Sequence, residues 1–149
     1  MKLVIASDHG GFDLKKDIVR FLAKRGLEVV DLGTHDTESV DYPDYAEKVG
    51  TLVSGGQADA GILICGTGIG MSIMANKFKG VRAAVVHDLH TAKMAKEHNN
   101  ANVLCLGGRL SKSEEAREMV RLWLDTTFEG GRHTKRLEKI ERIEKKNCP

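Results

Sequence analysis

The sequence predicts an α/β fold: a three-layer α/β/α sandwich around a five-stranded parallel sheet, with one further helix at the C-terminus. Two observations predict it. Short apolar runs recur at Lys2–Ser7, Leu27–Leu32, Ala60–Cys65, Arg82–Val86 and Asn102–Leu106, and the intervals between them carry helical periodicity. Strands that alternate with helices build βαβ units, whose parallel strands are covered on both faces. At 149 residues the chain is read as one domain, 1–149, long enough to bury a core without staples.

The elements follow in order. After the first run, Leu14, Ile18, Phe21 and Leu22 mark one helical stripe, and Gly26 stops it. The Leu27–Leu32 run leads to a helix over Tyr45–Val53, with Pro43 near its start. Ala60–Cys65 ends on alternate glycines and enters an apolar stretch, Met71–Phe78, read as a helix. Asp88–His98 is the next helix, between the fourth and fifth runs. Ser111-x-x-Glu114 has the capping-box pattern and opens a helix with Met119, Val120 and Trp123 on its buried stripe. Arg132–Lys146 is the last, with Leu137, Ile140 and Ile143 as its apolar side.

Composition narrows the function classes. A hydrophobic share of 41% and a charged share of 30% are those of soluble globular proteins. The formal net charge of +2 is too near neutral to predict a nucleic-acid or acidic-membrane partner. The basic cluster Arg132, His133, Lys135, Arg136 and Lys139 reads equally as a solvated helix face. Cysteines 65, 105 and 148 form no C-x-x-C pair, which argues against a disulfide framework or zinc site and for a reducing, cytoplasmic setting. The apolar run Leu3–Ala6 is too short to span a membrane, and no signal peptide is evident.

Ligands of such sheets bind beyond the carboxyl ends of the strands. That rule selects three loops: Asp8–Gly11, Gly66–Gly70 and Gly107–Arg109. Gly66-x-Gly68-x-Gly70 is neither the dinucleotide fingerprint nor a Walker A loop. It reads as a tight turn, or as a cradle in which several amides converge on one anion. Cys65 is either a buried strand cysteine or a thiol beside that cradle, and its place at the strand end favours chemistry. Cys105, inside an apolar strand, is read as structural. Asp8 is open to capping the first helix or to binding a ligand, and His98–Asn99–Asn100 to ending a helix or serving a site. Arg132 and Arg136, four apart, share a helical face and make a fork for a phosphate dianion.

Taken together, these pieces resemble the ribose-5-phosphate isomerase B family, which includes galactose-6-phosphate and allose-6-phosphate isomerases. The resemblance rests on Ser7–Gly11, Ser39–Asp44, Ile64–Gly70, Glu97–Asn99, Leu106–Arg109, and Gly130–His133 with Arg136, in the family's order and nearly end to end. It implies a Rossmann-like fold and an aldose–ketose isomerase of the pentose phosphate pathway that acts on ribose 5-phosphate and ribulose 5-phosphate without metal or cofactor. Cys65 would be the base between C1 and C2, and the amides of Gly66, Thr67, Gly68, Ile69 and Gly70 would hold the enediolate oxygens. Thr67 and His98 would open the furanose, with His98 as the acid–base group. Asp8, Tyr42 and Asn99 would meet the sugar, while His9, Arg109, Arg132 and Arg136 would hold the phosphate. One branch of the family has a glutamate base where Met71 stands, which leaves Cys65 as the base of this loop. The alternatives are a hexose-6-phosphate isomerase, for allose or galactose 6-phosphate, and a non-catalytic sugar-phosphate-binding module, which would have no use for Cys65 and His98.

The topology adds an expectation of its own. Cys65 ends the third strand, whereas His98 precedes the fifth, so the two belong to opposite edges of the sheet, roughly 17–20 Å apart for a typical strand. A homodimer that presents one subunit's amino edge to the other's carboxyl edge would complete two shared sites, either alone or as half of a tetramer.

Overall fold

Three strands lie wholly in the interior: β1 (Leu3–Ser7), β3 (Ala60–Cys65) and β5 (Val103–Gly107) are buried at every residue. Their continuous Val/Ile/Leu runs suit strands covered on both faces. The edge strands β2 (Val29–Asp31) and β4 (Ala83–Val85) have three residues each, and such short edges offer little to pair with a foreign strand. The order across the sheet is β2-β1-β3-β5-β4, with every pairing parallel. This Rossmann-like arrangement is described for residues 1–147 of a computed structural model; Cys148 lies outside the described residues.

Side chains alternate between two cores. Ile5, Ile62, Ile64, Leu104 and Leu106 meet α1 (Phe12–Lys24), α4 (Leu89–Glu97) and α5 (Ser113–Asp125) through Ile18, Leu22, Ala92, Met119 and Trp123. Val4, Leu63, Cys65, Val103 and Cys105 face α2 (Tyr42–Ser54) and α3 (Ile69–Ala75) through Ala46, Val49, Met71 and Ala75. No helix among the described residues is long and apolar enough to cross a membrane.

Local chemistry corrects several sequence expectations. Helix α3 starts two residues before Met71, because Gly68 at φ +81° turns the chain at once. It stops at Ala75 instead of Phe78: the Asn76 amide accepts from the Ala83 N–H at 2.8 Å and donates to the Ala83 carbonyl at 2.9 Å, standing in for a neighbour strand. The Ser111/Glu114 capping box does not form. Helix α5 begins after Lys112, which puts that pair out of phase. A capping box forms instead on α4, where Asp88 accepts from the Thr91 N–H at 2.7 Å. On α6 (Arg132–Asn147) only His133 and Leu137 are buried; Ile140 and Ile143, on its apolar side, are 51% and 57% exposed. The cause is position. Glu144 accepts from the Gly80 N–H at 2.8 Å, which sets α6 against the segment leading into β4 and off the sheet face.

Candidate active site

The carboxyl edge gathers the loops after β1, β3 and β5, and glycines let them touch. A Cβ on Gly11 would stand 2.5 Å from the Ile64 carbonyl oxygen, and one on Gly108 would stand 2.5 Å from the Gly10 carbonyl oxygen. Gly108 N–H donates to the Cys65 carbonyl at 2.7 Å, and Arg109 N–H to the Gly66 carbonyl at 3.1 Å. The Arg109 guanidinium lies across this seam: Cβ atoms on Gly66 and Gly10 would meet it at 3.1 and 3.4 Å. Asp8 borders the same spot, 3.3 Å from the Gly10 Cβ position.

Asp8 is buried, and its Oδ1 accepts from Gly11 N–H at 3.2 Å, so it caps the 3-10 turn His9–Gly11 that leads into α1, whose own N-cap is Gly11. His9 follows it. Its Nδ1 accepts from the Val40 N–H at 3.2 Å, which makes Nε2 the protonated nitrogen of the neutral ring. The segment that supplies Val40 is itself anchored. Buried Lys15 donates to Asp31 at 2.5 and 2.6 Å, Asp31 accepts from Gly33 N–H at 2.9 Å, and Gly33 and Thr34 bond to Ser7. Tyr42, 39% exposed, lays its ring on Gly70, where a Cβ would come within 2.7 Å.

Cys65 sits at the strand end, 5% exposed, and its Sγ accepts from the Gly68 N–H at 3.1 Å. Thr67, exposed, accepts from the Ile69 N–H at 3.3 Å through Oγ1. Two of the five amides expected in the cradle are therefore spent within the loop. Among the described residues, those of Gly66, Thr67 and Gly70 bond to no protein acceptor. Met71 is fully buried in the same core as Cys65. Cys105 is also wholly buried, and burial pushes its thiol well above the ordinary range, with Cys65 adding a smaller electrostatic contribution. It is structural, as its place in an apolar strand suggests.

Asp8, His9, Tyr42, Cys65–Gly70 and Arg109 thus come together on one edge. His98, Asn99, Arg132 and Arg136 do not join them. His98 caps the end of α4, just ahead of β5, while Cys65 pairs with Gly107 at the far end of that strand. At about 3.3 Å per residue, the strand holds the two groups roughly 15 Å apart along the sheet. Asn99 borders an open groove of about 760 Å³ against α6, also lined by Val81, Ala83, Leu137, Ile140 and Ile143. Cys65 is not among the residues lining this groove.

Around His98 the structure adds two residues that sequence reasoning did not assign to the site. The His98 and His133 rings stack with centroids 4.1 Å apart and planes 14° from parallel. Glu129 Oε2 lies 3.1 Å from His133 Nε2 and 3.8 Å from His98 Nε2. The available signal was the four-residue spacing of Glu129 and His133 across Gly130–Gly131. These three side chains are the one trio of potential metal donors found among the described residues. Near-parallel rings, however, direct their in-plane lone pairs side by side, whereas a tetrahedral ion needs them to converge.

Comparison with known proteins points one way. The sequence model of the ribose/galactose isomerase family matches residues 3–140. The chain is 48% identical over 145 residues to ribose-5-phosphate isomerase B of Escherichia coli K12, covering 97% of each sequence. Among solved structures it is similar to ribose-5-phosphate isomerase B of Clostridium thermocellum, with a TM-score of 0.97 and 53% identity, covering 99% of this chain and 100% of the other. It is also similar to the Mycoplasma genitalium enzyme with bound ribulose-5-phosphate, with a TM-score of 0.93 and 47% identity, covering 97% and 96%.

Proposed function

Because the chain belongs to the ribose/galactose isomerase family, we propose that it interconverts D-ribose 5-phosphate and D-ribulose 5-phosphate through an enediolate. The observation that carries this reading is the Cys65 thiol, held by the Gly68 amide beside the free N–H groups of Gly66, Thr67 and Gly70. A base next to amide donors is what moving a proton between two carbons beside a carbonyl requires.

In the proposed reaction the furanose opens first. His98, with Thr67, passes a proton to the ring oxygen as the C1 hydroxyl gives one up, leaving an aldehyde. The Cys65 thiolate then takes the C2 proton, and the electron pair moves to the carbonyl oxygen, giving an enediolate held by the free amides. Reprotonation at C1, with transfer of a hydroxyl proton from O2 to O1, yields the ketose. Asp8, Tyr42 and Asn99 hold the sugar; His9, Arg109, Arg132 and Arg136 hold the phosphate, three guanidiniums suiting a dianion. Each of these groups is a side chain or backbone amide of the protein, and the mechanism calls for no metal or cofactor.

The site is shared across a homodimer that works in the cytoplasm, each subunit a single domain. Two features support this. His98, Asn99, Arg132 and Arg136 lie away from the edge that holds Cys65, and α6 leaves Ile140 and Ile143 uncovered. A two-fold axis would bring one subunit's amino edge to the other's carboxyl edge and bury that apolar side.

The test is a coupled isomerase assay run side by side on ribose 5-phosphate, allose 6-phosphate and galactose 6-phosphate. Ribose 5-phosphate is the expected best substrate. Faster turnover of a hexose phosphate would reassign the substrate, and binding without turnover would reduce the protein to a sugar-phosphate binder.

A further inference from the structure

We propose that Glu129 and His133 are positioning residues that hold the His98 imidazole for furanose opening, an inference that rests on the isomerase reading above. His98 is the first residue past α4 and half-buried, and its own backbone bond, to the Met94 carbonyl at 3.0 Å, fixes only the main chain. Its ring is fixed from α6. The His133 ring stacks on it at 4.1 Å, and His133 is 3% exposed, one of two buried side chains on that helix. The Glu129 carboxylate reaches both rings, at 3.1 Å from His133 Nε2 and 3.8 Å from His98 Nε2.

The backbone is tied at the same place. Glu129 N–H donates to the Glu97 carbonyl at 2.9 Å, so the turn into α6 is pinned to the residue just before His98. A flat ring stacked on His98 limits its rotation about the Cβ–Cγ bond, and the carboxylate favours one orientation of the Nε2 edge. A general acid that must reach the ring oxygen gains rate from that restriction, because displacement by an ångström costs turnover steeply. Packing alone does not explain the arrangement, since an apolar ring would fill the space beside His98. His133 Nε2 instead lies 3.1 Å from the Glu129 carboxylate, a hydrogen bond in which the imidazole donates and which an apolar ring could not make.

The two substrates separate this role from a structural one. Ribose 5-phosphate reaches the enzyme as a furanose and must open. Ribulose 5-phosphate has its O5 blocked by phosphate and cannot close a five-membered ring through C2, so its enolisation needs Cys65 and the amides but no ring opening. The experiment measures ribose 5-phosphate turnover and, by NMR in D2O, exchange of the C1 hydrogens of ribulose 5-phosphate. Both are measured for the full-length wild type, Glu129→Gln and His133→Ala. Glu129 is exposed, so Glu129→Gln keeps the test interpretable if the buried His133 replacement fails to fold. Both variants are expected to lose at least about tenfold in ribose 5-phosphate turnover while C1 exchange stays within about twofold of wild type. Parallel loss of both rates, or unchanged turnover, in Glu129→Gln overturns the positioning role. A wild type that neither isomerises nor exchanges overturns the isomerase reading instead.

Discussion

Cys65 and Cys105 stand in one core on neighbouring strands, and burial, helped by the electrostatic influence of Cys65, pushes the Cys105 thiol up. A raised thiol stays protonated and unreactive through the neutral and mildly alkaline range. Iodoacetamide should therefore inactivate the native enzyme by labelling Cys65 and spare Cys105, with substrate protecting; peptide mapping by mass spectrometry reads the outcome. Cys65→Ala should lower kcat by about 10²–10⁴-fold with little change in KM, because proton abstraction occurs only on the way to the transition state. Cys105→Ala should turn over almost normally. Near wild-type turnover by Cys65→Ala would remove the thiol from the chemistry.

Amide donors replace a metal as the electrophile in the proposed mechanism. Activity is expected to be complete after exhaustive EDTA treatment and gel filtration. Loss of turnover that a divalent ion restores would replace the amide mechanism with a metal-assisted one.

Arg136 is four residues beyond Arg132 on exposed α6. A charge-assisted hydrogen bond contributes about 1.5–3 kcal/mol, so Arg136→Ala should raise KM roughly 10- to 100-fold. A phosphate grip would act in ground and transition states alike, so kcat should fall much less. Unphosphorylated ribose should be a very poor substrate; equal activity on ribose would dismiss the phosphate role.

The shared site is tested by complementation. Inactive Cys65→Ala and His98→Ala subunits, mixed in equal amounts and allowed to exchange, would form hybrids with one doubly damaged site and one intact site. About a quarter of wild-type activity should return at statistical exchange. If exchange is demonstrated and no activity appears, both residues serve the same chain's site.

Helix α4 provides a stability test. Asp88 accepts from the Thr91 backbone and side chain, which holds its carboxyl below the usual carboxylate range. A depressed carboxyl contributes stability that is present above the unfolded value, about 3.9, and is lost as pH falls through the folded one. Asp88→Ala should lower Tm at pH 7, and its gap from wild type should narrow in acid. Ser111→Ala, outside any formed cap, should melt like wild type. Equal losses from the two substitutions would refute the placement of the cap.

What the sequence made legible was local. The three carboxyl-edge loops announce themselves because glycines and reactive side chains fall together directly after apolar runs, and Cys65 needs no distant partner to be noticed. The α4 cap was missed because Thr91 takes the place of the expected Glu or Gln. The α6 stripe was read correctly as apolar, but its exposure was not legible, since periodicity reports which residues share a face and not what covers it. Glu129 and His133 escaped for a related reason: their meeting with His98 depends on α6 returning to the end of α4, with the whole of β5 and α5 between them in the chain.

The sealed glycines bear on how such an enzyme can change over generations. Every single-nucleotide change in a glycine codon that substitutes the residue installs a Cβ, and at Gly11 and Gly108 that atom would collide with main-chain oxygen at 2.5 Å. Those positions are closed to one-step variation. New substrate preferences would have to begin at the rim, where Leu110 is exposed and free to be exchanged.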